Sequence, residues 1–538
     1  MLAPKPREAP TDMKVKVKRI FDIDVPKGYD NHFCDTAYVK DALEGEVNYW
    51  RYWSPIFIDA GTGKGKTSFI YEVLIPRALE QRRHVVLVSN RIACSIQQKR
   101  AILELLESPL RRQLTDQGVR ETDIFGSVSV ISYQSLPRFV NDPANKDWLD
   151  NVLYMVADEC HYFTADCSFN RHCEYHLKLI TKHFKRAIRI YMSATSFDVL
   201  QLLLDAENKI DYPAERFAGW RWERHFHRYH WTPDHSHVDL HFFQDLGEIK
   251  KLILGTTDKY LIFVDNKARG KEFARELGNR AIYLDADSKG SKEMEKLLKD
   301  NAFEAQVLVT TKILDCGVNI LDNRLRDIVV VTDDRTSMLQ MLGRKRCKPG
   351  ERVNLRACDM DKRVLARRYR DGQELLAVLE RYERSDEEER RRLGREIWNG
   401  DDDRLRLYFG LTDRTILPNR LAFYALRRKL YFYEKILNGR QTFRAAVCEW
   451  LGKTLEPEVV PADELAAFCE AHLGQELSED EIVTVRELIV KAAGATGFVE
   501  PQPTRVATLG RDALNNRMGK FNSPYRFEKN VWKILKEE

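Results

Sequence analysis

The stretch Ala60-Gly61-Thr62-Gly63-Lys64-Gly65-Lys66-Thr67 constrains this chain more than any other. Residues 53–58 form a short apolar run with the pattern of a strand, and residues 68–74 carry the pattern of a helix. Glycines at alternate positions permit a tight turn whose backbone N–H groups face phosphate oxygens, and the positive end of the following helix adds to that attraction. Strand, glycine loop and helix in that order make a phosphate cradle of the P-loop kind, which belongs to a parallel α/β sheet. Lys66 is placed to reach the β- and γ-phosphates of a nucleotide and the Thr67 hydroxyl to ligate Mg²⁺. Ala60 stands where the strict pattern has glycine, and Lys64 is an additional charge.

Residues 152–157 are a continuous apolar run of the length and β-rich character of a buried parallel strand, and it ends at Asp158-Glu159. Carboxylates at the C-terminal edge of such a strand suit a magnesium-bound nucleotide, with Asp158 for the metal and Glu159 polarising the attacking water. Without the cradle upstream, the same pair reads as an exposed acidic turn.

Further along come Ser193-Ala194-Thr195 and Gln340-Met341-Leu342-Gly343-Arg344-Lys345-Arg346. In this order the four motifs resemble a superfamily 2 helicase of the DExH type, with Asp158-Glu159-Cys160-His161 as the second motif and a match over about residues 56–347. The resemblance implies two tandem RecA-like parallel-sheet α/β domains, with ATP and Mg²⁺ as cofactors. It implies that Ala60, Gly61, Thr62, Gly63, Lys64, Gly65, Lys66 and Thr67 hold the nucleotide, joined by Gly317 and Asn319 of the fifth motif. Thr67 and Asp158 become the Mg²⁺ ligands. Glu159, Asp158, Lys66, Gln340, Arg344 and Arg346 become the catalytic set, with His161, Ser193 and Thr195 coupling the nucleotide to strand grip. Asn90 and Arg91 after the strand at 85–88, Ser132 and Gln134 in Ser132-Tyr133-Gln134-Ser135-Leu136, and Thr311 become the strand-tracking surface. Residues 260–264 resemble the first strand of the second motor domain.

The sequence departs from the family at two points. The second arginine of the last motif falls one residue early, at Arg346, with Cys347 in its expected place, so Arg344 is the preferred arginine finger. Asn319 stands where an acidic residue is common; it can bond a ribose hydroxyl but orients an arginine less strongly.

The expected organisation is an N-terminal extension over residues 1–44, a first ATP-binding RecA-like domain over 45–215, a second over 216–350 and a mainly helical accessory region over 351–538. In that last region Ser385 to Glu388 and Ser478 to Glu481 read as capping boxes opening helices, residues 419–437 as a helix ended by Gly439, and residues 494–510 as a linker. The 419–437 helix sets Phe423, Tyr424, Tyr431, Phe432 and Tyr433 beside Arg427, Arg428 and Lys429. The preferred reading packs its aromatics on the motor and turns its arginines to water; stacking on a single strand is the alternative. The basic-aromatic stretch at 515–526 is equally open.

A net charge of only +5 implies local basic stripes rather than a uniform field, with binding that weakens as salt rises. Ten scattered cysteines, several inside the motifs, fit reduced thiols. No apolar run approaches the roughly 18 residues of a membrane span and no apolar leader follows the first methionine, so the expected setting is cytoplasmic, without membrane contact. Two histidine-rich stretches, Cys160 to His176 and His225 to His241, lack paired metal-ligand spacing. The second is expected to be one strand with imidazoles along a face. The resulting function is an ATP-dependent helicase or translocase on nucleic acid. DNA is favoured over RNA because no glutamine of the RNA-helicase type is apparent before Ala60. The alternatives are an RNA helicase, or an ATP-gated clamp that grips without separating strands.

Overall fold

The computed structural model describes residues 29–90, 92–108, 113–167, 170, 172–195, 198–210, 226–288, 291–312, 320–348, 350–412, 415–454, 461–495, 510–520, 523–528 and 531–536. The chain divides into two compact units, Met1–Gly452 and Lys453–Glu538.

The first unit contains two parallel sheets. Strands β1 (Tyr29–Cys34), β2 (Ile56–Asp59), β3 (His84–Ser89), β4 (Ile124–Phe125), β5 (Val128–Ser132), β6 (Val152–Ala157), β7 (Ile188–Ser193) and β8 (Phe226–Trp231) form one, in the order β1-β8-β2-β7-β6-β3-β5-β4. Only β4 runs antiparallel to its neighbour. Every residue of β6 is buried, because helices cover both faces of the sheet. Alternate side chains divide the interior. Ile58, Leu87, Val156 and Ile190 pack with Phe69 and Leu74 on one face; Val86, Met155 and Tyr191 pack with Phe163 and Leu177 on the other.

Strands β9 (Val238–Phe243), β10 (Lys259–Phe263), β11 (Ala281–Leu284), β12 (Val307–Thr310), β13 (Leu325–Val330) and β14 (Val353–Cys358) form the second sheet, ordered β11-β12-β10-β13-β14-β9 and parallel throughout. The expected pair of parallel-sheet lobes is therefore present. The first sheet also takes β1 and β8, which lie outside the interval 45–215. The histidine-rich stretch is two strands rather than one, with β8 closing the first lobe and β9 opening the second.

The helix Arg420–Leu437 is capped by Asn419, whose side chain accepts from the backbone N–H of Ala422. Its Leu421 and Ala422 belong to a core of the first lobe, and its Phe423, Leu426, Leu430, Tyr433 and Ile436 to the core of the second. The helix Lys362–Arg384 crosses it at Gly372, where a Cβ would meet Leu430 Cδ2 at 2.7 Å, so a larger residue there requires Leu430 to shift. Phe423 and Tyr433 pack inward as expected and Tyr424 and Phe432 are half-buried, but Tyr431 is exposed and the cations do not simply face water. Arg428 pairs with Asp198 of the first lobe at 2.9 Å, and Lys429 pairs with Asp333 of the second at 2.9 Å. Tyr433 and Arg368 also bond Asp333, and this cluster of donors pulls the buried carboxylate far below its usual range against the opposing effect of burial.

The capping box expected at Ser385 lies one residue later. Ser385 ends the preceding helix, its hydroxyl donating to the Arg381 carbonyl at 2.7 Å, and Asp386 caps the helix Glu387–Asn399 through the Glu389 N–H. At Ser478 the box forms as expected, with Glu481 accepting the Ser478 N–H at 2.7 Å. That residue lies in the second unit, whose core gathers Leu465, Val485, Ile489, Leu514, Phe527 and Ile534. Asn515 clasps the backbone of Phe527 with two hydrogen bonds, a structural use for one residue of the 515–526 stretch. Residues 496–509, most of the expected linker, lie outside the described residues.

Candidate functional site: the cleft between two parallel-sheet lobes

Strand β2 ends at Asp59, and the loop that follows turns through Gly63 and Gly65 at φ 84° and 75°, left-handed values that favour glycine. Gly65 caps the helical run that begins at Lys66. The Lys66 Nζ donates to the carbonyls of Ala60 and Gly61 at 2.6 and 3.3 Å, so its ammonium sits at the mouth of the loop. Thr62, Gly63 and Thr67 are exposed, and Cβ atoms built at Gly61 and Gly63 meet nothing within 4 Å. The Val39 N–H donates to the Lys64 carbonyl at 2.9 Å and braces the loop from behind.

At the end of β6, Asp158 and Glu159 stand on the same edge of the sheet. The Asp158 carboxylate accepts from the Gln98 side chain at 3.3 Å and from the Glu159 N–H at 3.0 Å. Glu159 adopts φ 50°, a strained setting for a non-glycine residue. Burial and the adjoining Glu159 push Asp158 up. Burial also acts to raise Glu159, but His161, Lys66 and Arg344 outweigh it and hold that carboxylate down. The pair is thus tuned apart, and the charges that separate them come from both lobes.

A continuous polar chain joins the two lobes. His161 Nδ1 lies 3.2 Å from Glu159 Oε2 and 3.2 Å from Ser193 Oγ. Ser193 Oγ accepts the Thr195 N–H at 3.0 Å, and Thr195 Oγ1 accepts from Gln340 Nε2 at 3.2 Å. Gln340 belongs to the second-lobe helix Arg335–Leu342, and its carbonyl and side-chain oxygens accept from Arg344 at 2.9 and 3.4 Å. Gly343 reaches the cradle itself, where an added Cβ would lie 3.2 Å from Thr62 Oγ1. Arg344 is buried, whereas Arg346 is half-buried and has its pKa lowered by burial and by Arg344. Lys345 between them points away, held by Glu351 at 2.7 Å and the Asp322 carbonyl at 2.9 Å.

The remaining expected residues are more dispersed. Asn90 donates to Asp166 at 2.9 Å, Ser132 bonds Ser135 at 2.9 Å, Gln134 is exposed, and Thr311 is half-buried beyond β12. Arg91, Gly317 and Asn319 lie outside the described residues. Tyr38 went unnoticed in the sequence. It is 55% exposed, and its ring lies 3.4 Å from the position of a Gly65 Cβ, so a flat apolar face stands beside the cradle. Only its distance from Gly65 in space, not in sequence, marks it. We expect Tyr38→Ala to raise the KM for ATP several-fold with little change in kcat, read from steady-state turnover, as loss of a stacking contact made equally before and during reaction.

Behind the second motif, Asn170 donates to the Tyr162 hydroxyl at 2.8 Å, and Tyr162 in turn donates to His176 Nδ1 at 2.8 Å. Burial and the nearby His172 bring His176 down to about 4 from an ordinary 6.5. Between those values the unfolded chain takes up a proton that the folded chain refuses, so stability falls as pH drops through this window. Thermal or urea melts are expected to lose about 2 kcal/mol between about pH 7 and pH 5 from this group, and His176→Gln to remove that slope.

Two parallel sheets, a glycine cradle on one and, from the other, a helix whose end at Gly343 meets that cradle, define a two-lobed α/β fold of the P-loop kind. Residues 38–198 match the family described as type III restriction enzyme, res subunit. No curated protein matches the sequence. Among solved structures, the chain is similar to the helicase MrfA bound to DNA, at 16% identity over 60% of this chain and 46% of that one, with a TM-score of 0.42. It is similar to the Mycobacterium smegmatis helicase Lhr bound to single-stranded DNA and AMP-PNP, at 14% identity over 92% of this chain and 58% of that one, TM-score 0.42. It is also similar to S. cerevisiae Dbp5 bound to RNA and ADP BeF3, at 14% identity over 57% and 80%, TM-score 0.39. The chain spans about half the length of the MrfA structures it matches.

Proposed function

We propose that this chain is an ATP-dependent helicase or translocase on nucleic acid, with DNA preferred to RNA. The observation that carries the reading is the polar chain from Glu159 through His161, Ser193, Thr195 and Gln340 to Arg344, which ties a carboxylate beside the cradle to an arginine of the other lobe. The residues present fit a magnesium nucleotide. The exposed Thr67 hydroxyl and the Asp158 carboxylate are hard oxygen donors of the kind Mg²⁺ takes, and the Lys66 ammonium is bonded to carbonyls that a phosphate can replace. When bound, Mg·ATP supplies a phosphoryl group activated for transfer to water.

The chain's own residues do the rest. Glu159, held ionised by His161 and the two lobes' cations, orients the attacking water and draws on its proton. Lys66 and Arg344 approach from opposite sides and neutralise charge developing on the phosphoryl oxygens. Because Arg344 belongs to the second lobe, its engagement requires the cleft to close, and its release lets the lobes part. Thr195 and Gln340 transmit that movement, since their hydrogen bond crosses the cleft. Asn90, Arg91, Ser132, Gln134 and Thr311 are assigned to the strand, and Gly317 and Asn319 to the nucleotide.

The test is an ATPase titration with single-stranded DNA, RNA and duplexes, paired with displacement of a labelled strand. Stimulation by single-stranded DNA with displacement supports the proposal, and stimulation without displacement identifies a clamp. A preference for RNA reverses the assignment of substrate, and turnover indifferent to every polymer refutes the motor.

A further inference from the structure

At the edge of the first sheet, where β8 lies next to β2, β1 and β8 pair in parallel, with Asp30 opposite His227 and His32 opposite Tyr229. Side chains alternate along a strand, so Asp30, His32 and His227 project from one face. His32 Nε2 lies 3.3 Å from His227 Nδ1, and that same nitrogen lies 3.6 Å from Asp30 Oδ2. All three ligand atoms fall within 4.8 Å of one another, and among the described residues this is the group of histidine, cysteine and acidic side chains that gathers in such a way.

The spacing is that of a coordination polyhedron. Ligands at about 2.0–2.1 Å from a tetrahedral centre stand about 3.3–3.4 Å apart, which matches the two imidazoles, and the carboxylate at 3.6 Å from His227 Nδ1 stands close to that separation from one of them. The rings are also held. His32 stacks on Tyr229 with centroids 4.6 Å apart and planes 17° from parallel, and the Tyr229 hydroxyl accepts from Trp50 at 3.1 Å and donates to Glu46 at 3.3 Å. Such support around the ligands is what fixes imidazole orientation in a metal site.

We propose that Asp30, His32 and His227 bind one first-row divalent cation of the zinc class, with water completing the shell, and that the ion fastens the edge strand β1 to β8. Two nitrogens and one oxygen favour such an ion over Mg²⁺ or Ca²⁺, which take oxygen. The sequence hid the site because its spacing crosses nearly two hundred residues, and the run His225 to His241 considered alone offers no second half.

The experiment uses the full chain, stripped with chelator and then dialysed against Zn²⁺ with Mg²⁺ in excess to occupy oxygen sites. One zinc is expected to remain in the wild type. His32→Ala and His227→Ala are expected to weaken retention at least about ten-fold, and Asp30→Asn, at a partly exposed position, to weaken it less. Co²⁺ substitution is expected to give visible ligand-field bands without thiolate charge transfer, and ATP turnover is expected to stay unchanged in all three variants. Circular dichroism of each variant separates loss of metal from loss of fold; should either alanine variant unfold, Asp30→Asn and the cobalt spectrum of the wild type decide. Absence of retained zinc in the wild type, retention unaffected by the folded variants, or a thiolate band overturns the proposal.

Discussion

Arg344→Ala is expected to reduce ATP turnover by about 10³-fold, with the KM for ATP changed far less. The asymmetry follows from where the arginine sits. In the structure its guanidinium is buried against Gln340 of its own lobe, with its Nε on the Gln340 carbonyl at 2.9 Å, while its charge already lowers Glu159 across the cleft. A group carried by the lobe that closes acts most strongly when charge develops on the phosphoryl group, so its loss falls on kcat. Arg344→Lys is expected to recover little, because a single ammonium cannot reproduce the planar fork that bonds both Gln340 and a phosphate. Stopped-flow or coupled-assay turnover checks both variants, with thermal melts confirming that the fold survives. If instead Arg346→Ala carries the large loss and Arg344→Ala is mild, the finger is the later arginine, displaced by the one-residue shift in the motif.

Lys66→Ala is expected to lower kcat/KM for ATP by at least about 10²-fold, close to 3 kcal/mol of transition-state stabilisation. Here both affinity and turnover suffer, since the lysine belongs to the lobe that holds the nucleotide throughout. The fold is expected to persist. Lys66 is bonded to the carbonyls of Ala60 and Gly61 at a partly exposed loop mouth, where water can satisfy both after truncation. The double variant Lys66→Ala/Arg344→Ala is expected to lose less than the product of the two single effects, because both residues serve one step.

What could be read from the sequence was local. The cradle announces itself because glycine at positive φ is a property of the loop alone, and residues 152–157 read as a buried strand because no polar residue interrupts them. The cap at Ser478 follows from a side chain bonding backbone three residues away. Even a local pattern misleads at Ser385, where the preceding helix claims the serine and leaves the cap to Asp386. Long-range pairing was not legible. Nothing in residues 29–34 shows that they join a strand from 226–231, so the first lobe extends beyond the expected 45–215 interval. Likewise the helix Arg420–Leu437 reads as amphipathic, but only the fold brings Asp198 to Arg428 and Asp333 to Lys429 from different lobes. The order of the motifs was legible; the hydrogen bond between Thr195 and Gln340 that connects them was not.

The central claim is that Lys66 and Arg344, from separate lobes, meet on a single triphosphate. A structure of the chain with Mg²⁺, a non-hydrolysable ATP analogue and a single strand tests it most directly. The account expects the Lys66 ammonium and the Arg344 guanidinium both within hydrogen-bond distance, about 3 Å, of oxygens on the same γ-phosphate, with Glu159 facing it. A nucleotide seated in the cradle while Arg344 stays folded on Gln340, with the second lobe contributing nothing to the phosphates, contradicts it.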